Sequence, residues 1–334
     1  SEEAESKLNG PEQIVWFERL QNDYDNLQAA LRYALTSGHI EIGLRLACAV
    51  RYFWMVKGHV SEGRKILDEL IASSEADPKI PVKLTARSRI EAATLANAQG
   101  DKVRAEQWYI EARKCFQQFN DKLGLARALN GLGNVYWMKG EFNQTQLYQS
   151  QSLQHFQELN DENGMATALN MLGLVSLEQG KPDKAIDYLN QSLALRRKKG
   201  DLRGMAVAFN NLGNVSENPT KKAYYYRESL NLYRSLLDMA YAAEPLEELA
   251  GVAHRCNHPD TAARLLGAVH AFRNLLGTAQ PLQDQIDNQN LVSAIRSQLT
   301  DPEFEAAWKA GQAMALIQAI EYGLEVSGTL SKSE

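Results

Sequence analysis

The sequence predicts an all-α solenoid of helical hairpins. Three observations carry that prediction: an internal repeat of 40 residues, apolar residues at helical spacing inside each repeat, and a scarcity of prolines and β-branched runs. The blocks 125–136, 165–176 and 205–216 align without a gap, so Leu132, Leu172 and Leu212 stand 40 apart, as do Gly133, Gly173 and Gly213. Gly100, Gly140 and Gly180 keep the same step and extend the array back to a block that starts near Thr85. Residues 165–199 show the physics of one block. Met165, Ala168, Leu169, Leu172 and Val175 recur on one helical face, Gly180 and Pro182 break the helix, and Ala185, Tyr188, Leu189, Ser192 and Leu193 restart it. The first helix (A) packs on the second (B), with Gly173 opposite Ala185 or Ser192 for close approach. A lone hairpin cannot bury both its faces, so stacked neighbours complete the core.

In chain order, residues 11–36 and 40–56 read as helices, with Gly38 and Gly58 as stops and Ser61 as the N-cap of the next helix. Residues 73–81, which hold two prolines, are the best internal break and are short enough to be a turn between repeats. In the last clear block Asn218-Pro219 follows soon after Ser216, which predicts an A helix about one turn short. Residues 259–269 form a further B helix, and three helices within 283–326 leave the repeat and read as a cap. The expected division is 1–80 for irregular hairpins, 81–277 for the array and 278–334 for capping helices and a short tail.

Composition narrows the function. The 334 residues carry a net charge of −5, with 44% hydrophobic and 23% charged residues, an ordinary globular balance that gives no electrostatic case for nucleic acid or an anionic membrane. The first residues lack a signal-peptide pattern, and no apolar run approaches a membrane span, so a cytoplasmic location is expected. Cys48, Cys115 and Cys256 are far apart and form no C-x-x-C pair, which signals neither disulfides nor structural zinc. His254-Arg-Cys-Asn-His258 falls at a turn and is expected to be surface rather than a metal site. Tyr224-Tyr-Tyr226 opens a B helix, where packing accounts for one or two rings. No nucleophile elbow, H-E-x-x-H or phosphate-cradling glycine loop occurs, so neither an enzyme nor a cofactor is expected.

Leu129, Leu132-Gly133 and Tyr136 resemble the tetratricopeptide-repeat pattern, and the 40-residue period resembles the longer-helix variants of that family; the resemblance implies a right-handed superhelical solenoid of tetratricopeptide-type hairpins. The segments 16–31, 262–268, 304–311 and 319–322 resemble the region that follows the nucleotide switch in large bacterial signal-transduction ATPases, among them LuxR-type regulators and relatives of the maltose-regulon activator. That resemblance implies a sensor region. With neither a P-loop nor a basic recognition helix in the chain, its abrupt start at Ser1 fits an excised piece of a longer regulator.

In such an array the A helices line the concave wall. Asn130, Asn170 and Asn210 recur at the repeat step, with Asn134 and Asn214 four residues after two of them on the same face. Asn is a poor helix former, and its carboxamide both donates and accepts, which suits clamping a peptide backbone or the hydroxyls of a polar inducer. Tetratricopeptide domains that hold extended peptides use Asn at matching positions, which the resemblance extends to these five. The alternative is that the ladder only ties repeats together. Arg87, Arg127 and Trp137 share the wall as a carboxylate anchor and an aromatic platform, or are a solvated face; Arg45 and Tyr52 align with them on the earlier hairpin. The sequence therefore predicts a ligand-sensing, protein-interaction domain of a bacterial signal-transduction ATPase or transcription regulator, with a protein or peptide partner or a small inducer. The alternatives are a free-standing scaffold for partner peptides and a receptor for a small polar molecule.

Overall fold

The computed structural model describes residues 2–8, 10–236, 239–276 and 282–330. Among these the secondary structure is α-helical apart from one 3₁₀ turn, with no strand. The chain divides into two compact units, Ser1–Asp201 and Leu202–Glu334. The expected boundary at 277/278 lies outside the described residues.

The first unit opens with α1 (Glu2–Lys7), α2 (Gln13–Asn22) and α3 (Tyr24–Thr36). Four hairpins follow: α4 (Ile40–Lys57) with α5 (Val60–Ala76), α6 (Val82–Ala98) with α7 (Lys102–Gln118), α8 (Lys122–Met138) with α9 (Phe142–Leu159), and α10 (Glu162–Glu178) with α11 (Pro182–Lys199). Each A helix packs on its own B helix, and successive A helices pack on one another. The helix expected over 11–36 is two helices, because the backbone at Asp23 leaves helical geometry (φ −95°, ψ +11°), which makes it the C-cap of α2 and the N-cap of α3. Ser61 is not a cap. Only Gly58, at φ +82°, and His59 separate α4 from α5, so Ser61 already lies in the first turn of α5, where its hydroxyl accepts from Gln99 Nε2 at 2.9 Å.

Turn chemistry alternates along the array. Each A helix from α6 to α10 ends at a left-handed glycine, Gly100, Gly140 or Gly180, at φ between +69° and +79°. The B helices α7 and α9 end instead at left-handed Asn120 and Asn160, and the aspartate that follows caps the next A helix. Asp121 accepts from the Gly124 N–H at 3.0 Å and Asp161 from the Gly164 N–H at 3.2 Å.

Within a hairpin the helices touch at a glycine. A Cβ on Gly133 would lie 2.6 Å from the Gln149 side chain, on Gly173 2.7 Å from Leu189, and on Gly213 2.4 Å from Tyr226. A serine on the B helix then latches the pair: Ser152 Oγ donates to the Ala126 carbonyl at 2.8 Å, and Ser192 Oγ to that of Ala166 at 2.7 Å. Between hairpins a phenylalanine lies over the glycine that starts the next A helix, Phe116 on Gly124 and Phe156 on Gly164. The next residue at this step is Arg196, which bonds Asp201 at 2.7 Å, so the aromatic contact is replaced by an ion pair where the unit ends.

The second unit holds α12 (Leu202–Val215) with α13 (Pro219–Ser235), a 3₁₀ turn (Met239–Ala242), α14 (Ala243–Arg255) with α15 (Pro259–Leu276), then α16 (Leu282–Arg296), α17 (Asp301–Gln312) and α18 (Leu316–Leu330). Helix α12 has 14 residues against 17 for α10, the loss of about one turn that Asn218-Pro219 predicts. Asn218 caps α13 by accepting from the Lys221 N–H at 2.9 Å. Helix α17 crosses α15 backbone to backbone, since a Cβ on Gly267 would lie 2.3 Å from the Trp308 carbonyl and one on Gly311 2.0 Å from that of Arg264. Helix α18 packs against α13, α14 and α15. In the tyrosine run Tyr226 is fully buried, Tyr225 packs on Phe209 and Tyr224 is exposed.

Two outcomes follow from this packing. At Gly131 an added Cβ would meet the ring of Tyr109 at 2.1 Å, and that ring is buried with its hydroxyl 2.8 Å from Thr94 Oγ1, so it cannot yield. Gly131→Ala should lower the urea-unfolding free energy by about 1–3 kcal/mol despite the better helix propensity of Ala; an unchanged or raised midpoint would count against the packing. Cys48 and Cys115 are buried, and burial pushes the Cys48 thiol up to about 12. Alkylation of the native chain near pH 8 should therefore modify Cys256 alone at speed, with all three cysteines reacting after denaturation.

Candidate functional site

The first unit carries a cleft of about 590 Å³. Helix α4 contributes Arg51 and Tyr52, α6 contributes Glu91 and Thr94, and α8 contributes Arg127, Asn130 and Asn134. Asn163 and Thr167 of α10 and Asp201 continue the wall. The repeat explains this order: the same face of each A helix is turned inward, so Thr167 stands one step of 40 beyond Arg127.

Several of these side chains are already engaged. Arg51 Nε donates to Glu91 Oε2 at 2.8 Å, and Glu91 is only 8% exposed, so this ion pair forms a nearly neutral floor. Burial pushes the Tyr109 hydroxyl up to about 12, keeping it a neutral partner for Thr94. Asn130 Nδ2 donates to Gln149 Oε1 at 2.9 Å, while Gln149 Nε2 donates to the Asn130 carbonyl at 3.1 Å and to Asn134 Oδ1 at 2.9 Å. The fully buried Gln149 is thereby held by both asparagines over Gly133. The bonds leave Asn130 Oδ1 as an acceptor and Asn134 Nδ2 as a donor with no hydrogen bond among the described residues. Arg127, half-buried beside them, likewise has no ion pair among the described residues.

The cleft thus gathers Arg127, Asn130 and Asn134 from the expected residues. Asn170 is half-buried on α10 and does not line it. Trp137 does not line it either; its ring packs on Phe142 at 5.3 Å between centroids. Asn210 and Asn214 belong to the second unit. There Asn210 is 3% exposed with a buried Oδ1 that has no hydrogen-bond partner among the described residues, and the Tyr226 hydroxyl lies 2.8 Å from Asn214 Oδ1 and 3.3 Å from Glu248 Oε2.

Arg87 and Arg45 meet a feature that sequence reasoning missed, the segment 2–8. Arg45 Nε and Nη2 donate to the two carboxylate oxygens of Glu2 at 2.7 and 3.1 Å, and Arg87 Nη2 lies 2.6 Å from both oxygens of Glu5. The Arg45 hydrogen bond holds the Glu2 carboxyl below the usual carboxylate range. Glu2 and Glu5 themselves line the cleft. The available signal was Ala4 and Leu8 at i,i+4 beside Glu2 and Glu5 at i,i+3, a short amphipathic pattern in a stretch that looks like an unstructured lead-in.

The second unit has its own cleft of about 780 Å³, lined by Glu247, His270, Arg273, Asn274 and Trp308 among others. Arg273 pairs with Glu247, and the His270 and Trp308 rings lie 5.7 Å apart. Among the described residues no group of three His, Cys, Asp or Glu side chains could hold a metal ion, and no helix is long and apolar enough to cross a membrane.

Residues 124–198 match the tetratricopeptide-repeat family model. Among curated proteins none matches the sequence. Of solved structures, a chain of the APC/C hetero-tetramer Cut9-Hcn1 has a TM-score of 0.61 at 18% identity, over 85% of this chain and 48% of that one. A Signal Transduction ATPase with Numerous Domains with a tetratricopeptide repeat sensor, from Pyrococcus horikoshii, has a TM-score of 0.59 at 14% identity, over 94% of this chain and 47% of that one. A plasmid Rap conjugation gene regulator in complex with the Phr* peptide has a TM-score of 0.55 at 11% identity, over 82% of this chain and 78% of that one. The chain spans about half the length of the first two. At such identities the likeness is one of fold: a tetratricopeptide-type solenoid.

The Gln149 latch makes a direct prediction. Gln149→Ala removes three hydrogen bonds and opens a hole over Gly133, and should cost about 1–3 kcal/mol in chemical denaturation with helicity retained. A neutral result would mean that the asparagines do not depend on it.

Proposed function

We propose that the chain is a non-catalytic, ligand-sensing and protein-interaction domain of a larger, cytoplasmic bacterial signal-transduction ATPase or transcription regulator, and that it binds a peptide in the first-unit cleft. The observation that carries this is the cluster of Arg127, Asn130 Oδ1 and Asn134 Nδ2, a cation, an acceptor and a donor left open on one wall. A peptide backbone offers one donor and one acceptor per residue, and a carboxylate matches the arginine fork. The fold likeness to a tetratricopeptide sensor and to a peptide-bound Rap regulator supports the same reading. In it, residues 1–80, 81–277 and 278–334 serve as entry hairpins, binding array and cap. Binding alters the regulator only if the ligand favours one of its states.

The test is affinity selection from a random fluorescent peptide pool on the parent chain and on an Arg127→Ala, Asn130→Ala variant of unchanged circular dichroism. Peptides retained by the parent should bind the variant at least about ten-fold more weakly, equivalent to the loss of one charge-assisted hydrogen bond. Equal retention would move the site elsewhere. A second reading, reception of a small polar molecule, is favoured by the Trp308 and His270 rings beside Asn274 in the second unit's cleft. Sugar titrations that quench tryptophan fluorescence in the parent but not in Trp308→Phe would support it.

A further inference from the structure

We propose that segment 2–8 is a built-in stand-in for the ligand, and that the first-unit cleft is a receptor for an acidic, short helical peptide which displaces it. This rests on the peptide-binding reading above and names the ligand class.

A helix of six residues is far below the length of about 12–15 at which isolated helices become even marginal, so α1 exists because it is docked. Its docking is two-sided. Ala4 and Leu8, one turn apart, are fully buried, while Glu2 and Glu5 reach Arg45 on α4 and Arg87 on α6. Two carboxylates at i,i+3 over a small apolar residue thus match two arginines on neighbouring A helices. The row of cations does not stop there. Arg127 follows Arg87 by one step of 40 on α8, lines the cleft that Glu2 and Glu5 also line and has no acidic partner among the described residues. With the segment lifted away, Arg45, Arg87 and Arg127 would face the nearby acids Glu41 and Asp161, since the Arg51–Glu91 and Arg196–Asp201 pairs are already balanced. The vacated surface is basic, in a chain whose net charge is −5.

A tethered segment competes at an effective concentration in the millimolar range, so a separate ligand must gain something that the segment lacks. The third arginine and the open Asn130 and Asn134 groups supply it. A longer acidic helix can place a further carboxylate at Arg127, where α1 has none. Exchange of one helix for the other then frees residues 2–8, and that release is the conformational consequence of binding.

The test uses the full chain and a fluorescein-labelled peptide of the sequence of residues 1–10. Binding by anisotropy is compared between the parent and Glu2→Gln, Glu5→Gln, which keeps the shape of the segment and removes both of its ion pairs. The variant should bind the peptide at least ten-fold more tightly than the parent. A peptide with both glutamates changed to glutamine should lose that gain, and Arg87→Ala in the variant should abolish it. Hydrogen exchange at amides 6–8, protected in the parent and rapid in the variant, verifies release independently. Equal affinities in parent and variant, or no binding by either while the exchange data show the segment released, would overturn the proposal. Neither result would touch peptide retention through Arg127 and Asn130 in the pool selection, so the two readings fail separately.

Discussion

The structure depends on how closely the two helices of a hairpin approach. A glycine on the A helix removes the Cβ that would hold the helices apart, and one B-helix side chain fills the space over it. From that contact the stacking direction follows, because a hairpin closed on one face leaves its other apolar face for the next repeat. Within the first unit the same geometry turns one face of α4, α6, α8 and α10 toward the cleft, and a wall with regularly spaced polar side chains results. Burial does the rest: Leu132, Leu172 and Leu212, the markers of the repeat, are at most 3% exposed, each removing roughly 1.5–3 kcal/mol of apolar surface from water.

The wall combines groups with different fates. The Arg51–Glu91 pair and the Asn130–Gln149–Asn134 cluster satisfy one another, as buried polar groups must. Arg127 is spared that constraint because it is only half-buried and can be solvated. The asparagines therefore tie the repeat together without using all of their hydrogen-bonding capacity. One face of each carboxamide secures the B helix and the other is left to the cleft, and a group with both a donor and an acceptor can do both.

Much of the fold was legible in the sequence because its signals are local and periodic: the step of 40, the left-handed glycines, and Asn218-Pro219 shortening α12. The break at Asp23 and the early start of α5 escaped because helix boundaries are set by a few backbone hydrogen bonds that periodicity does not register. The site was legible only in part. Alignment brought out Arg127, Asn130 and Asn134, but equivalent positions are not equivalent environments: Asn210 is buried where Asn130 is open, and Trp137 packs on Phe142 away from the cleft. The docking of residues 2–8 joins positions up to 82 apart in sequence, and no repeat encodes it.

The glycines at 133, 173 and 213 are identical, yet the holes above them are filled by an amide, an isobutyl group and a phenol. In the shortened block the filler shifts with the deletion: Tyr226 stands 37 residues after Leu189, and Ser229 37 after Ser192, but the buried hydroxyl of Ser229 has no hydrogen-bond partner among the described residues, whereas that of Ser192 bonds the Ala166 carbonyl. The repeats share a backbone but not an interior. Unequal crossing-over that joined the first helix of one repeat to the second helix of another would therefore yield a chain with an intact period and mismatched knobs and holes. Once its copies had diverged in this way, the array could grow or shrink by whole hairpins but no longer by halves.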